Sequence, residues 1–265
     1  MIEIRGVTKA FGDIRALDGI DLDVANGEFV CLLGPSGCGK STLLNAVAGF
    51  VTPTSGEIIA EGKRVTDPAP DRGMVFQEYA LFPWMTVRAN VAFGLQMRGE
   101  SGIDAKVDAL LEKLRLREFA DRFPKDLSGG MRQRVAIARI LALDSPILLM
   151  DEPFGALDAL TRRNLQDELL RIWTELGKTI LFVTHSIDES IYLADRIVVM
   201  TYRPGRVKAI VPVTFPRPRD SASPEFNELK RTLSAMVMEE QRRHEEDEIG
   251  APASPPAGSD ASRVR

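Results

Sequence analysis

Residues 29–49 read FVCLLGPSGCGKSTLLNAVAG. The first five are a continuous apolar run of the length and composition of a buried strand, and from Leu43 the apolar residues recur at helical spacing through Leu44 and Val47. Between them residues 34–41, GPSGCGKS, fit G-x-x-x-x-G-K-[ST] in the strand-to-helix setting that this pattern requires. Gly34, Gly37 and Gly39 leave room for backbone N–H groups to curl around a phosphate, with Pro35, Ser36 and Cys38 as the residues between them. Lys40 brings a cation to the β- and γ-oxygens, and Ser41 a hydroxyl to Mg²⁺. The helix that starts here, with Thr42 in its first turn, adds the positive end of its dipole. Cys38 stands where such dipoles lower a thiol pKa, although a plain spacer is the simpler reading.

Downstream, residues 147–153 read ILLMDEP: four apolar residues of a buried strand that delivers Asp151 and Glu152 at its carboxyl end. Two adjacent acids after a strand also describe a solvated turn. A phosphate loop upstream favours the other reading, because nucleoside triphosphate hydrolysis needs an acid beside Mg²⁺, here Asp151, and a carboxylate to polarise the attacking water, here Glu152. Around these two motifs the pattern is mixed. Alternating apolar residues mark strands over 2–11 and 14–24, with turn signals at Gly12-Asp13 and Asn26-Gly27, and shorter strands surround Ile58 and Met74. Residues 86–123 are mostly helical by period, and from Gly129 helix and strand alternate through Met200, with buried strands at 147–150, 179–183 and 197–200. The expected fold class is α/β, of the P-loop NTPase kind: a mixed sheet core, an N-terminal antiparallel β portion and a helical insertion at about 86–145.

A P-loop alone leaves kinases, GTPases, helicases and transport ATPases open, and no N-K-x-D stretch for guanine recognition is present. Residues 127–134, LSGGMRQR, precede an apolar-periodic helix, so Ser128, Gly129 and Gly130 present hydroxyl and N–H donors at a helix start. Taken alone they make a simple N-cap with a glycine turn. Beside a P-loop they are a second anion site, and since one nucleotide has one γ-phosphate, that site is expected to complete the pocket of another copy.

The combination of GPSGCGKST, Gln77, LSGGMRQR, ILLMDEP, GALD and His185 resembles the nucleotide-binding subunit of an ABC transporter over residues 1–200. The resemblance implies an ATPase (an ABC ATPase domain at 1–220) that uses ATP and Mg²⁺, with Lys40, Glu152 and His185 as its catalytic set. It implies that Gln77 reaches Mg²⁺ or the water and links the pocket to a membrane partner, that Phe11 stacks on adenine, that the 155–158 loop with Asp158 crosses the dimer, and that His185 contacts the γ-phosphate. By themselves a histidine after an apolar strand reads as structural and Phe11 as core or a strand end; their order around the stronger motifs favours the nucleotide roles. Three positions depart from the common pattern: Phe11 for tyrosine, Met131 after LSGG, and GALD where a serine is usual. Stacking needs only a ring.

Composition sets the outer limits. The net charge of -4 gives no pull toward nucleic acid, and no apolar run approaches the roughly 20 residues that span a bilayer. Cys31 and Cys38 form no disulfide framework and read as free thiols. The resemblance therefore implies a peripheral protein on the cytoplasmic face of the membrane, with transmembrane permease subunits, a second ATP-binding subunit as a homodimer and, indirectly, a solute-binding protein as partners, and no nucleic acid. A soluble ABC-type ATPase uncoupled from transport is the competing class. Wording such as PWMTVRANVAFGL and ADRIVVMTYRPGR is similar to importer subunits for nitrate, sulfonates and taurine. Phe82, Trp84 and Met85 beside Pro83 suit either a surface patch that receives a partner helix or, for Phe82 and Phe93, core packing. At the end, Phe226, Leu229, Leu233, Met236 and Val237 share one helical stripe, so 221–249 is expected as an amphipathic helix and 250–265, rich in Pro, Ala and Ser, as a disordered tail.

Overall fold

The computed structural model describes residues 1–250; the tail expected to be disordered lies, from residue 251, outside the described residues. Two sheets organise the chain. β1 (Ile2–Phe11), β2 (Ile14–Val24), β4 (Ser55–Ala60) and β5 (Lys63–Arg64) form an antiparallel sheet in the order β2-β1-β4-β5. β3 (Phe29–Leu33), β6 (Arg72–Val75), β7 (Ile147–Asp151), β8 (Thr179–Thr184), β9 (Arg196–Met200) and β10 (Val207–Pro212) form a second sheet in the order β10-β9-β3-β8-β7-β6, parallel except for the β10 edge.

The continuous apolar runs follow from burial on both faces of the parallel sheet. Successive side chains of a strand point to opposite faces, so Phe29, Cys31 and Leu33 enter one core with Leu148, Met150, Ile180 and Phe182, whereas Val30 and Leu32 enter the other with Ile147, Leu149, Leu181 and Val183. The first core is covered by helices and the second by the antiparallel sheet and α1 (Lys40–Ala48). A one-residue slip in β3 would exchange the two sets, which is why its register is specified so firmly.

The middle segment breaks into pieces for local reasons. α2 (Val87–Met97) starts where the Thr86 hydroxyl accepts from Ala89 N at 3.2 Å, and it stops before Gly99 and Gly102, whose φ of 65° and 69° no other residue adopts cheaply. α3 (Ile103–Lys113) and α4 (Gly129–Ala142) complete the helical layer against it. α5 (Ala159–Leu176), α6 (Ile187–Leu193) and α7 (Pro224–Gly250) follow. Residues 221–223 lead into α7 as a turn, and the 3.6-residue stripe buries Phe226 and Leu233 while Met238 stays exposed.

Candidate nucleotide-hydrolysis site

Strand register decides which side chains meet. Leu33 lies beside Thr184, Val183 beside Asp151, and Met150 beside Val75, so the carboxyl ends of β3, β8, β7 and β6 come level along one edge of the sheet. The segments that leave this edge are the glycine loop, His185, Asp151-Glu152 and the turn with Gln77. This is the crevice at which open parallel sheets bind ligands.

Within the loop, Gly37 and Gly39 take φ of 75° and 95°, and Gly39 is the left-handed N-cap of α1. A Cβ there would stand 2.8 Å from the Ala16 carbonyl oxygen and from Leu17, which excludes any larger residue. Ser36 and Gly37 are exposed, while Pro35 and Cys38 are buried. Lys40 is also buried, and its ammonium donates to the carbonyls of Gly34 and Pro35, each at 2.8 Å, so the loop is folded around its own cation. Burial pushes the Cys38 thiol up despite Lys40 nearby, so the helix dipole does not make it a reactive thiolate here. Cys31 and Cys38 are both free and buried.

The acids join this loop directly. The Ser41 hydroxyl donates to Asp151 Oδ1 at 2.9 Å. Burial pushes the Asp151 carboxyl up; the Ser41 hydrogen bond opposes that and the neighbouring Glu152 charge reinforces it. Glu152 follows with φ of 44°, an uncommon backbone for a non-glycine residue, fixed by its N–H to Val183 O at 3.0 Å and its carbonyl accepting from Gly155 N at 3.1 Å. Its Oε2 lies 3.0 Å from His185 Nδ1. A carboxylate can only accept, so Nδ1 carries the proton. A small cavity of about 30 Å³, room for one water, opens between Glu152, His185, Thr184, Arg162 and Glu189.

The other expected residues are placed differently. Gln77 is exposed in the turn after β6, ahead of Tyr79 and Ala80, which take φ of 59° and 47°. Arg139 holds that turn by donating to Ala80 O at 2.6 Å. Phe11 is half exposed at the end of β1, with Lys9 Nζ 4.9 Å above its ring. Ser128 caps α4, its hydroxyl accepting from Met131 N at 3.3 Å. A Cβ on Gly130 would meet Thr161 at 2.5 Å, and one on Gly129 would meet Leu157 and Tyr79 at 3.2 Å. Asp158 caps α5 by accepting from Thr161 N at 3.0 Å, a bond that holds its carboxyl below the ordinary range. Among the described residues no hydrogen bond or ion pair joins 128–130 or Asp158 to the loop at 34–41 or to Glu152.

Sequence reasoning passed over several neighbours. Arg162 donates to the carbonyls of Phe154 and Leu157 at 3.2 Å and 2.7 Å and so sets the path of the 155–158 loop. Glu189 is buried, accepts from Gln166 Nε2 at 2.9 Å, and is pushed up by desolvation. Residues 201–206 touch the glycine loop from β9. No spacing signal marks Arg162; Glu189 stood within the FVTHSIDE stretch but its burial is visible only in three dimensions.

A strand–glycine loop–helix unit with a buried lysine, a hydroxyl–carboxylate pair and a carboxylate–histidine pair defines a P-loop nucleoside triphosphatase. The model of the family described as ABC transporter matches residues 17–155. The chain is 54% identical over 196 residues to the taurine import ATP-binding protein TauB of Roseobacter denitrificans, covering 73% of each. It is 48% identical over 236 residues to the aliphatic sulfonates import ATP-binding protein SsuB of Bacillus licheniformis, covering 88% of this chain and 92% of that protein. Among solved structures, a dimeric ATP-binding cassette in a post-hydrolysis state with ADP and Pi superposes with a TM-score of 0.72 at 34% identity, over 82% of this chain and all of that one. The chain belongs to the ABC transporter family, as its ATP-binding subunit, and it is an ATPase.

Proposed function

We propose that this subunit powers the import of a small oxyanion, a sulfonate such as taurine or a related solute such as nitrate, through separate membrane subunits, as a homodimer on the cytoplasmic face of the membrane. The observation that carries the hydrolytic part is the contact of Glu152 with His185 at 3.0 Å, one residue beyond the Ser41–Asp151 pair. Support for the cargo class comes from the taurine and sulfonate importer relatives.

In this reading the exposed N–H face of Ser36 and Gly37 receives the β-phosphate, and Lys40 turns from the Gly34 and Pro35 carbonyls toward the β- and γ-oxygens. Ser41 and Asp151 supply two hard oxygens already 2.9 Å apart, a donor set that suits Mg²⁺ and would hold it. Held by these two residues, the ion would supply positive charge against the phosphates. Glu152 accepts the proton of the attacking water, with His185 holding that carboxylate through Nδ1–H. Gln77, at the same edge, orients the water. Phe11 offers its exposed face to adenine. Ser128, Gly129, Gly130 and Asp158 close the pocket of the partner copy.

The membrane partner docks in an apolar groove of about 520 Å³ lined by Phe50, Phe76, Phe82, Phe93, Met97 and Ile140. Phe82 is half-buried, 4.6 Å from the Phe93 ring, so packing and groove lining coexist; Trp84 is 71% exposed beside it. Because Phe76 and Ala80 flank the Gln77 turn, a helix seated there presses on the hydrolytic edge. The test is reconstitution with the membrane subunits in vesicles and ATP-driven uptake of labelled taurine, an alkanesulfonate and nitrate. Uptake of none of these, from complexes that hydrolyse ATP, contradicts the cargo reading.

A further inference from the structure

Asp151 is not the only neighbour that shapes the glycine loop. Residues 201–206, TYRPGR, form the turn between β9 and β10, and they pack directly on it. Gly205 N donates to Ala16 O at 3.0 Å, and Gly205 O accepts from Asp18 N at 3.0 Å. A Cβ on Gly205 would stand 2.2 Å from the Cys38 carbonyl oxygen, so the two backbones are in contact. Arg203, exposed to solvent, donates from Nε to Gly37 O at 3.3 Å.

The same turn is held from its other side by α7. Glu240 is fully buried; its Oε2 accepts from Tyr202 N at 2.9 Å and its Oε1 from Lys208 Nζ at 2.6 Å. A buried carboxylate is tolerated only when paired, and here one oxygen serves the Tyr202 backbone N–H while the other serves two cations, Lys208 and, at 3.1 Å from the next turn of the helix, Arg243; together these fix where the helix lies against the turn. The His244 ring stacks on Tyr202 with centroids 4.3 Å apart. Tyr202 and Arg203 are consecutive, so the residue that Glu240 pins is the one before the residue that reaches Gly37.

We propose that the far half of α7 is a strap on the phosphate loop, with Glu240 and Arg203 as positioning residues that set ATP affinity. The physical reason lies in the loop's glycines. Gly37 and Gly39, at φ of 75° and 95°, carry the wide backbone freedom of glycine, and a loop held beforehand in its binding conformation loses less entropy when the nucleotide arrives. Arg203 acts on the loop through the Gly37 carbonyl, and Glu240 acts through the backbone of Tyr202, the residue before it. The inference rests on the reading of residues 34–41 as the ATP phosphate loop.

The test is equilibrium titration of the full chain with a fluorescent ATP analogue in Mg²⁺, together with steady-state phosphate release, on Arg203→Ala, Glu240→Ala and Glu240→Gln, with Lys40→Ala as the control for the loop itself. Loss of one hydrogen bond of this kind is expected to raise Kd and KM about three- to tenfold while kcat at saturating ATP changes less than about twofold. Glu240→Gln should recover part of the affinity, since its amide oxygen still accepts from Tyr202 N although its NH2 cannot accept from Lys208 and Arg243. Wild-type affinity in Arg203→Ala, an exposed position whose loss does not threaten folding, overturns the strap. So does a Glu240→Ala chain whose kcat falls with its melting temperature and is not rescued by Gln. Should Lys40→Ala bind the analogue as tightly as wild type, the reading of the loop fails and the strap with it, an outcome distinct from Lys40-dependent binding that ignores Arg203.

Discussion

Residues 34–41 and 128–130 are both glycine-rich segments at the start of a helix, but they are completed differently. In the first, Lys40 is wrapped by the loop's own carbonyls and Ser41 is hydrogen-bonded to Asp151, so donors, cation and acid are assembled within one chain. In the second, Ser128 caps its own helix and the glycines exist to let α4 pass Thr161 and Leu157 closely, with no bond to the hydrolytic edge among the described residues. The contrast teaches that close packing and preorganisation are present at both segments, while only one has its chemical partners in the chain. In the proposed reading the other is a prepared surface that a second copy completes.

The largest effect should come from the self-contained half. Glu152→Gln keeps the shape of the site and removes the proposed base, so turnover should fall about 10²- to 10⁴-fold while binding of a fluorescent ATP analogue persists. Phosphate release at the wild-type rate would remove Glu152 from the base role. Lys40→Ala, which takes away the buried cation, should weaken nucleotide binding about 10- to 100-fold in the same titration. The prepared half behaves otherwise. Ser128→Arg leaves the chain's own loop untouched but should lower phosphate release per wild-type chain when the two proteins are mixed; undiminished release would break the comparison. Gly130→Ala forces a methyl toward Thr161, and a loss of about 1–3 kcal/mol in chemical denaturation is expected. Smallest of all, Trp84→Ala should shift stability by less than about 0.5 kcal/mol and leave phosphate release intact, yet reduce co-purification with the membrane subunits.

Much of this was legible because the chemistry sits in consecutive residues. The glycine loop and the β7 strand with its two acids each carry strand, turn and functional group in fewer than ten positions, so pattern and spacing suffice. The alternation that divides β3 between two cores was readable only as an apolar run, since both faces are buried and period-two polarity is lost. β10 gave no clear signal: its residues are half-buried or exposed, as suits an edge strand. The brace at 201–206 depends on Gly205 meeting Cys38 and Ala16, and on Glu240 meeting Tyr202, contacts between distant segments that no local period encodes. Likewise the positive φ of Glu152 and Tyr79 comes from the surrounding hydrogen bonds and not from residue type.

The division of labour between the two glycine-rich segments is tested most directly by size-exclusion chromatography with light scattering on Glu152→Gln, with and without ATP and Mg²⁺. The expected result is a monomer without nucleotide and a dimer with it, because the ATP that this variant cannot hydrolyse bridges residues 34–41 of one copy and 128–130 of the other. A chain that binds ATP and stays monomeric would contradict the shared pocket.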